Sequence, residues 1–235
     1  MNINNLIEDI KYFYQILNLA ENTTNGKQIL GTKGKPSNFP DRGVYFFFEP
    51  VENRCEFGSG FKVIRVGTHA LRLGSKSSLW DRLRQHKGYV TGRHPLGGNH
   101  RGSIFRKHVG NAIINKNKIP LSQSENWGRG SSSSKEIRDR EYPIEIEVSK
   151  YIRSLPFIWM EIYDPSGPES VRGYIERNSI GLLSNCMKYK IDQPGPNWLG
   201  FYTNNSAIIS SGLWNVNHVS DEYDSSFLEV LRKLI

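Results

Sequence analysis

Cysteine is scarce in this 235-residue chain. Cys55 and Cys186 are the only two, too few for a disulfide framework or a cysteine-rich zinc site, so both are expected to be plain thiols. Acidic residues are outnumbered, with 23 Asp and Glu against 31 Lys and Arg. The resulting charge of +8 favours a polyanionic partner over a neutral one. No long apolar run is present. The opening MNINNLIEDIKYFYQILNLA breaks its apolar residues with acids and asparagines, unlike a signal peptide or membrane span, and a cytoplasmic protein with no membrane partner is expected. There is no internal repeat. What remains suffices for one well-cored domain with embellishments.

Ile3, Leu6, Ile7, Ile10, Phe13, Ile16 and Leu17 recur at intervals of three and four, which predicts an amphipathic helix over 3–20. Breakers and polar turns fill the stretch to Gly43. VYFFFE and FKVIRV are β-branched and aromatic runs separated by PVENRCEFGSG, the pattern of a hairpin. A helix is expected over 76–87, with serines at its entry and Gly88 at its exit. SIFRKHVGNAIINK (103–116) has helical character interrupted by Gly110, and LSQSENWGRGSSSSKEIRDREY is expected to be a mobile surface loop. EIEVSKYIRSL fits helix or strand, and PFIWMEIYD is expected to be a buried third strand. A helix should follow from about Pro168 with Glu169 in its first turn, and SSFLEVLRKLI should close the chain as an amphipathic helix.

Several of these elements carry chemistry. Tyr45 sits in GVY on the first hairpin strand and Gly67 in RVG at the end of the second. Arg82 and His86 are four apart in LWDRLRQH, so they share a helix face beside the stripe of Leu79 and Leu83. A guanidinium there suits a phosphate, to which it can donate two hydrogen bonds. Glu176, next to an apolar helix face, is a carboxylate suited to a divalent cation. Each has a plainer reading: a solvated face for Arg82 and His86, a core aromatic for Tyr45, a surface ion pair with Arg177 for Glu176.

The order GVY, RVG, LWDRLRQH, a helical glutamate and then LLSN resembles the GIY-YIG nuclease family over about residues 43–185. The resemblance matches Tyr45, Gly67, Arg82, His86, Glu176 and Asn185 to the family's signature positions. Arg65 stands where the second signature usually has tyrosine. The resemblance implies an α+β fold with a small antiparallel sheet of about three strands flanked by helices: a nuclease core at 43–185 with a basic insertion at about 89–142, an N-terminal piece (1–42) packing on the core, and a C-terminal extension (186–235). It implies phosphodiester hydrolysis of double-stranded DNA. Mg²⁺ or Mn²⁺ would be held by Glu176, with Tyr45 as general base or water ligand and Arg82 against the transition-state charge. His86 would orient water or Tyr45, Asn185 would brace the site, and Arg65 would hold the phosphate or activate a phenol. A restriction or phage-defence setting fits a compact basic chain, and a homodimer would let two sites cut both strands. A nucleic-acid-binding module that has lost catalysis through Arg65, or an RNA-directed nuclease, are the rival readings.

Within the insertion, Arg93, His100, Arg101, Arg106, Lys107 and His108 are interleaved with glycines and are expected to track a nucleic-acid backbone. His94, His100 and His108 match no standard zinc spacing. In the C-terminal segment, Trp198, Trp214 and His218 suit either base stacking or ordinary packing.

Overall fold

The alternation in GVYFFFE decides how the sheet is covered, because successive side chains of a strand point to opposite faces. The computed structural model describes residues 2–36, 39–54, 58–186 and 189–235, so Cys55 lies outside the described residues. Its helices are α1 (Ile3–Thr23), α2 (Leu79–Lys87), α3 (Ile104–Asn117), α4 (Leu121–Ser124), α5 (Lys135–Ser154), α6 (Val171–Leu183), α7 (Ser206–Ser211) and α8 (Phe227–Arg232). Strands β1 (Gln28–Ile29), β2 (Gly43–Arg54), β3 (Gly58–Gly67) and β4 (Pro156–Glu161) form one antiparallel sheet in the order β1-β4-β2-β3. Val44, Phe46 and Phe48 bury against α1, α6 and α8 on one face. Tyr45 and Phe47 bury against α2, α3 and α5 on the other. Each such side chain withdrawn from water contributes roughly 1.5–3 kcal/mol, which makes β2 the common wall of two cores.

A register break in β3 aims the functional side chains. Phe47 pairs with Arg65 but Phe48 pairs with Val63, so Ile64 is the extra residue of a β-bulge. Val63 and Val66 therefore serve the α1/α6 face while Ile64 joins the opposite core. Strict alternation from Val63 would have turned Arg65 and Gly67 the other way. With the bulge, Arg65 lies 4.8 Å over the Phe105 ring and Gly67 faces Tyr45. β3 is an edge strand, and the C-terminal segment covers it. Trp214 N–H donates to Ile64 O at 2.6 Å, and Asn215 both accepts from Val66 N–H (3.1 Å) and donates to Val66 O (2.9 Å).

The helical layer over Tyr45 is fastened by Arg106, which is fully buried. Its guanidinium donates to Glu145 Oε2, to Glu145 O, to Ser149 Oγ and to His86 O, joining α3 to α5 and to the end of α2. Gly98 exists for this contact: a Cβ there would stand 2.2 Å from Arg106 Cζ.

Three expectations change. The sheet has a fourth strand, β1, in a stretch whose glycines and polar residues suggested only turns, because pairing with β4 selects it. Residues 121–142 are not a loop throughout: α4 opens the segment and α5 begins at Lys135 and runs on through EIEVSKYIRSL. Buried Glu141 and Glu145 broke the apolar pattern that would have announced α5. Glu169 falls ahead of Ser170, the N-cap of α6, so it is not in the first turn. Gly110 belongs in α3 because Trp127 lies over it, where a Cβ would come within 2.0 Å of the indole. Removing the Arg106 side chain, as in Arg106→Ala, leaves Glu145 buried without its strongest partner. Chemical denaturation should show a loss of about 3–5 kcal/mol.

Candidate active site

Helix α2 begins with a reciprocal cap: Ser78 Oγ accepts Asp81 N–H at 3.1 Å while Asp81 Oδ2 accepts Ser78 N–H at 3.1 Å. From this fixed start Leu79 and Leu83 enter the core and His86, one turn after Arg82, is carried to Tyr45. Tyr45 Oη and His86 Nε2 are 2.8 Å apart, and His86 Nδ1 is 2.8 Å from Ser103 Oγ. Both rings are fully enclosed. Gly67 has no alternative here, since a Cβ would come within 2.2 Å of Tyr45 Oη. Burial, and next the positive charges of Arg82, Arg65 and Arg106, hold the imidazole of His86 well below its ordinary pKa. It is therefore neutral at physiological pH.

Glu176 lies half-buried on α6. Burial raises its carboxyl above the usual range, against the charges of Arg65, His218 and Arg82 and a hydrogen bond from Thr68 N–H. Since Arg65 and Arg82 act on both Glu176 and His86, the carboxylate and the Tyr45–His86 pair belong to one electrostatic unit. Arg65 donates through Nη1 to Trp214 O at 2.8 Å, but its buried Nε has no hydrogen-bond partner among the described residues. Arg82 donates to Gln85 Oε1 at 3.0 Å. Arg177 is paired with Asp221 at 2.9 Å, so the plain ion pair between Glu176 and its neighbour is not what forms. Asn185 is buried, and its amide donates to Asp192 O (2.8 Å) and Ser211 O (3.0 Å). It thus braces the segment leading to the C terminus and is spent on backbone.

His218, read from the sequence as a stacking or packing residue, lies instead beside Glu176, a placement that local sequence did not give. It adopts φ 65°, a left-handed conformation uncommon outside glycine, and its Nδ1 is 2.8 Å from Asp221 Oδ2. Its side chain is 38% exposed. No spacing rule links it to Glu176, because the chain folds back from the C-terminal segment to bring them together. Trp198 and Trp214 are buried in the core beside Tyr45's face and are packing residues.

Most of the basic insertion is internally neutralised. Arg106 is enclosed with Glu145, and His100 donates Nδ1–H to Glu145 Oε1 (2.9 Å), accepts Gly128 N–H at Nε2 (3.0 Å) and stacks on Trp127 at 3.8 Å. Arg101 forks onto Glu141 at 2.6 and 2.9 Å. His108 is buried. These four present no charge free for phosphate, because α5 supplies the acids or the core takes the ring. Lys107 is half-buried, and exposed Arg93 is shared with Asp139. Among the described residues no three His, Cys, Asp or Glu side chains are grouped to hold a metal, so His94, His100 and His108 form no zinc site. Glu176, a single carboxylate with one N–H donor, does fit an octahedral cation that keeps most of its waters.

Three histidines set an acid limit on stability. Burial, reinforced by the Arg172 charge for His69 and the Lys107 charge for His108, lowers both to about 4, and His86 is also lowered. The unfolded chain, with pKa near 6.5, binds protons that these folded imidazoles refuse, so the stability they contribute falls as pH drops below about 6.5, while Glu49, raised by burial to about 7, opposes part of that slope. Urea midpoints measured between pH 4.5 and 8 should show this slope, and His108→Gln should make it shallower.

A family model described as the GIY-YIG domain matches residues 4–235. No curated protein and no solved structure matches the chain. The match runs through the α1 helix, the Tyr45–Gly67 hairpin and the C-terminal segment alike, so the chain belongs to the GIY-YIG family, whose domain implies nuclease activity.

Proposed function

We propose that the protein is a divalent-metal-dependent endonuclease that hydrolyses phosphodiester bonds of double-stranded DNA, in a restriction or phage-defence setting. The observation that carries this reading is the half-buried Glu176 carboxylate set among Arg65, Arg82 and His218, with Arg65 and Arg82 also acting on the Tyr45–His86 pair. Glu176 would hold one Mg²⁺ or Mn²⁺, which supplies Lewis-acid polarisation of the phosphate. Arg82, exposed enough to reach solvent and tied only to Gln85, would hold non-bridging phosphate oxygens. Arg65 has a buried N–H without a partner among the described residues and would donate it to the same anion.

The water's proton is assigned to His218 Nε2. Tyr45 and His86 are enclosed, whereas His218 is partly exposed and Asp221 orients it by accepting from Nδ1–H, which leaves Nε2 as acceptor. The imidazole of His86 is a poor base, since burial and three guanidiniums oppose its cation. With Ser103 donating to Nδ1, His86 donates Nε2–H to Tyr45 Oη and fixes the phenol against Gly67. A homodimer would place two such sites on the two strands of a symmetric target.

Plasmid, linear duplex and RNA incubated with Mg²⁺ or Mn²⁺ test the reading. Glu176→Ala should abolish cleavage while DNA binding, read by gel shift, persists. Arg82→Ala should slow cleavage by about 10²–10³-fold, and His218→Gln by about 10²–10⁴-fold. Wild-type cleavage by Glu176→Ala would sink the metal assignment. Intact substrates that still bind would favour a non-catalytic module, and cleavage of RNA alone an RNA-directed nuclease.

A further inference from the structure

The outer side of α2 carries a cationic furrow that the signature residues do not account for. Its wider part is a cavity of about 610 Å³ between α2 and the segments 32–34 and 88–91, lined among others by Lys33, Trp80, Arg84 and Tyr89. A second hollow of about 330 Å³ continues from Tyr89 and Thr91 to Arg93, Lys135 and Arg138. Tyr89 stands at the junction of the two. Lys33, Lys135 and Arg138 are exposed, and no ion pair holds them among the described residues. These cations, unlike those of buried Arg106 and paired Arg101, are available to an anion.

Tyr89 is built as a platform. Its N–H donates to Gly97 O at 2.8 Å and its carbonyl accepts from Arg153, so the backbone is held at both ends. The residue is 49% exposed. An aromatic face on a rigid backbone, flanked by uncommitted cations, suits a base stacked between phosphates. The furrow also borders the active site. Gln85 lines it and accepts from Arg82, while Gly102 and Asn99 line it next to Ser103, the partner of His86.

Resting on the nuclease reading above, we infer that this furrow binds an unpaired segment of the substrate strand flanking the cleaved bond, with Tyr89 stacking on a base and Lys33, Lys135 and Arg138 meeting its phosphates. A duplex held at the site would have one strand opened beside the cut and led over α2. The ligand class is single-stranded polynucleotide, recognised through backbone charge and base faces, without dependence on sequence.

Fluorescence anisotropy with a labelled oligothymidylate and with a blunt duplex, in EDTA so that no cleavage occurs, tests this. Tyr89→Ala should weaken single-strand binding by about tenfold while Tyr89→Phe retains it. Lys135→Glu with Arg138→Glu should weaken it further and reduce the slope of log affinity against log salt by about 0.7 for each phosphate no longer neutralised. All these side chains are exposed, so the variants should keep the wild-type unfolding midpoint. Oligothymidylate affinity unchanged in both variants would overturn the inference, as would equal weakening of blunt duplex and single strand by Tyr89→Ala. The nuclease reading is scored separately, by cleavage in Mg²⁺: its failure with furrow-dependent binding intact removes that reading alone, and active cleavage with furrow-independent binding removes the inference alone.

Discussion

One guanidinium holds the helical layer over Tyr45 together. Arg106 reaches the carbonyl of His86, the carboxylate and carbonyl of Glu145 and the hydroxyl of Ser149, so α2, α3 and α5 share a single buried cation. A buried charge is costly unless every donor is met, and here the partners come from elements distant in sequence. The position of His86, and through it the phenol of Tyr45, follows from that network as much as from α2 itself. Its specificity role is structural: an apolar replacement would fill the space without telling α2 where to end.

The bulge at Ile64 does for the sheet what Arg106 does for the helices. By adding one residue to β3 it turns Arg65 and Gly67 toward Tyr45. The family's second-signature tyrosine position is thereby filled by a cation that stacks on Phe105 and is held by Trp214 O. The C-terminal segment that supplies this carbonyl also delivers His218, so replacing a phenol by a guanidinium and recruiting an imidazole from the tail are parts of one arrangement. The groups around Glu176, Arg65, Arg82 and His218, then come from three different regions of the chain.

Much of this was legible from residue order. The β-branched and aromatic run VYFFFE announced a hairpin strand, and the spacing of Arg82 and His86 announced a shared helix face. The fit of Gly67 beneath Tyr45 gives the signature glycine a physical cause. Other parts were hidden because they depend on pairing across long separations. The cluster from His100 to His108 resembles a nucleic-acid contact until Glu141 and Glu145, some forty residues later, are seen to neutralise it. Glu141 lies in the first part of α5, residues 135–142, which read as a loop, and Glu145 in the part left open between helix and strand, since helical periodicity is read from apolar residues. His218 had no local motif at all. Its signal is an unusual backbone angle and a neighbour on α6, both of which exist only once the chain has folded.

The closure of β3 by Trp214 and Asn215 has a consequence for assembly. An open strand edge invites another chain to extend the sheet, and here the outward groups of Ile64 and Val66 are already taken. Along that stretch two copies cannot join by continuous β-pairing. Trp214 and Asn215 thus act as a fixed border that keeps this end of the sheet finite.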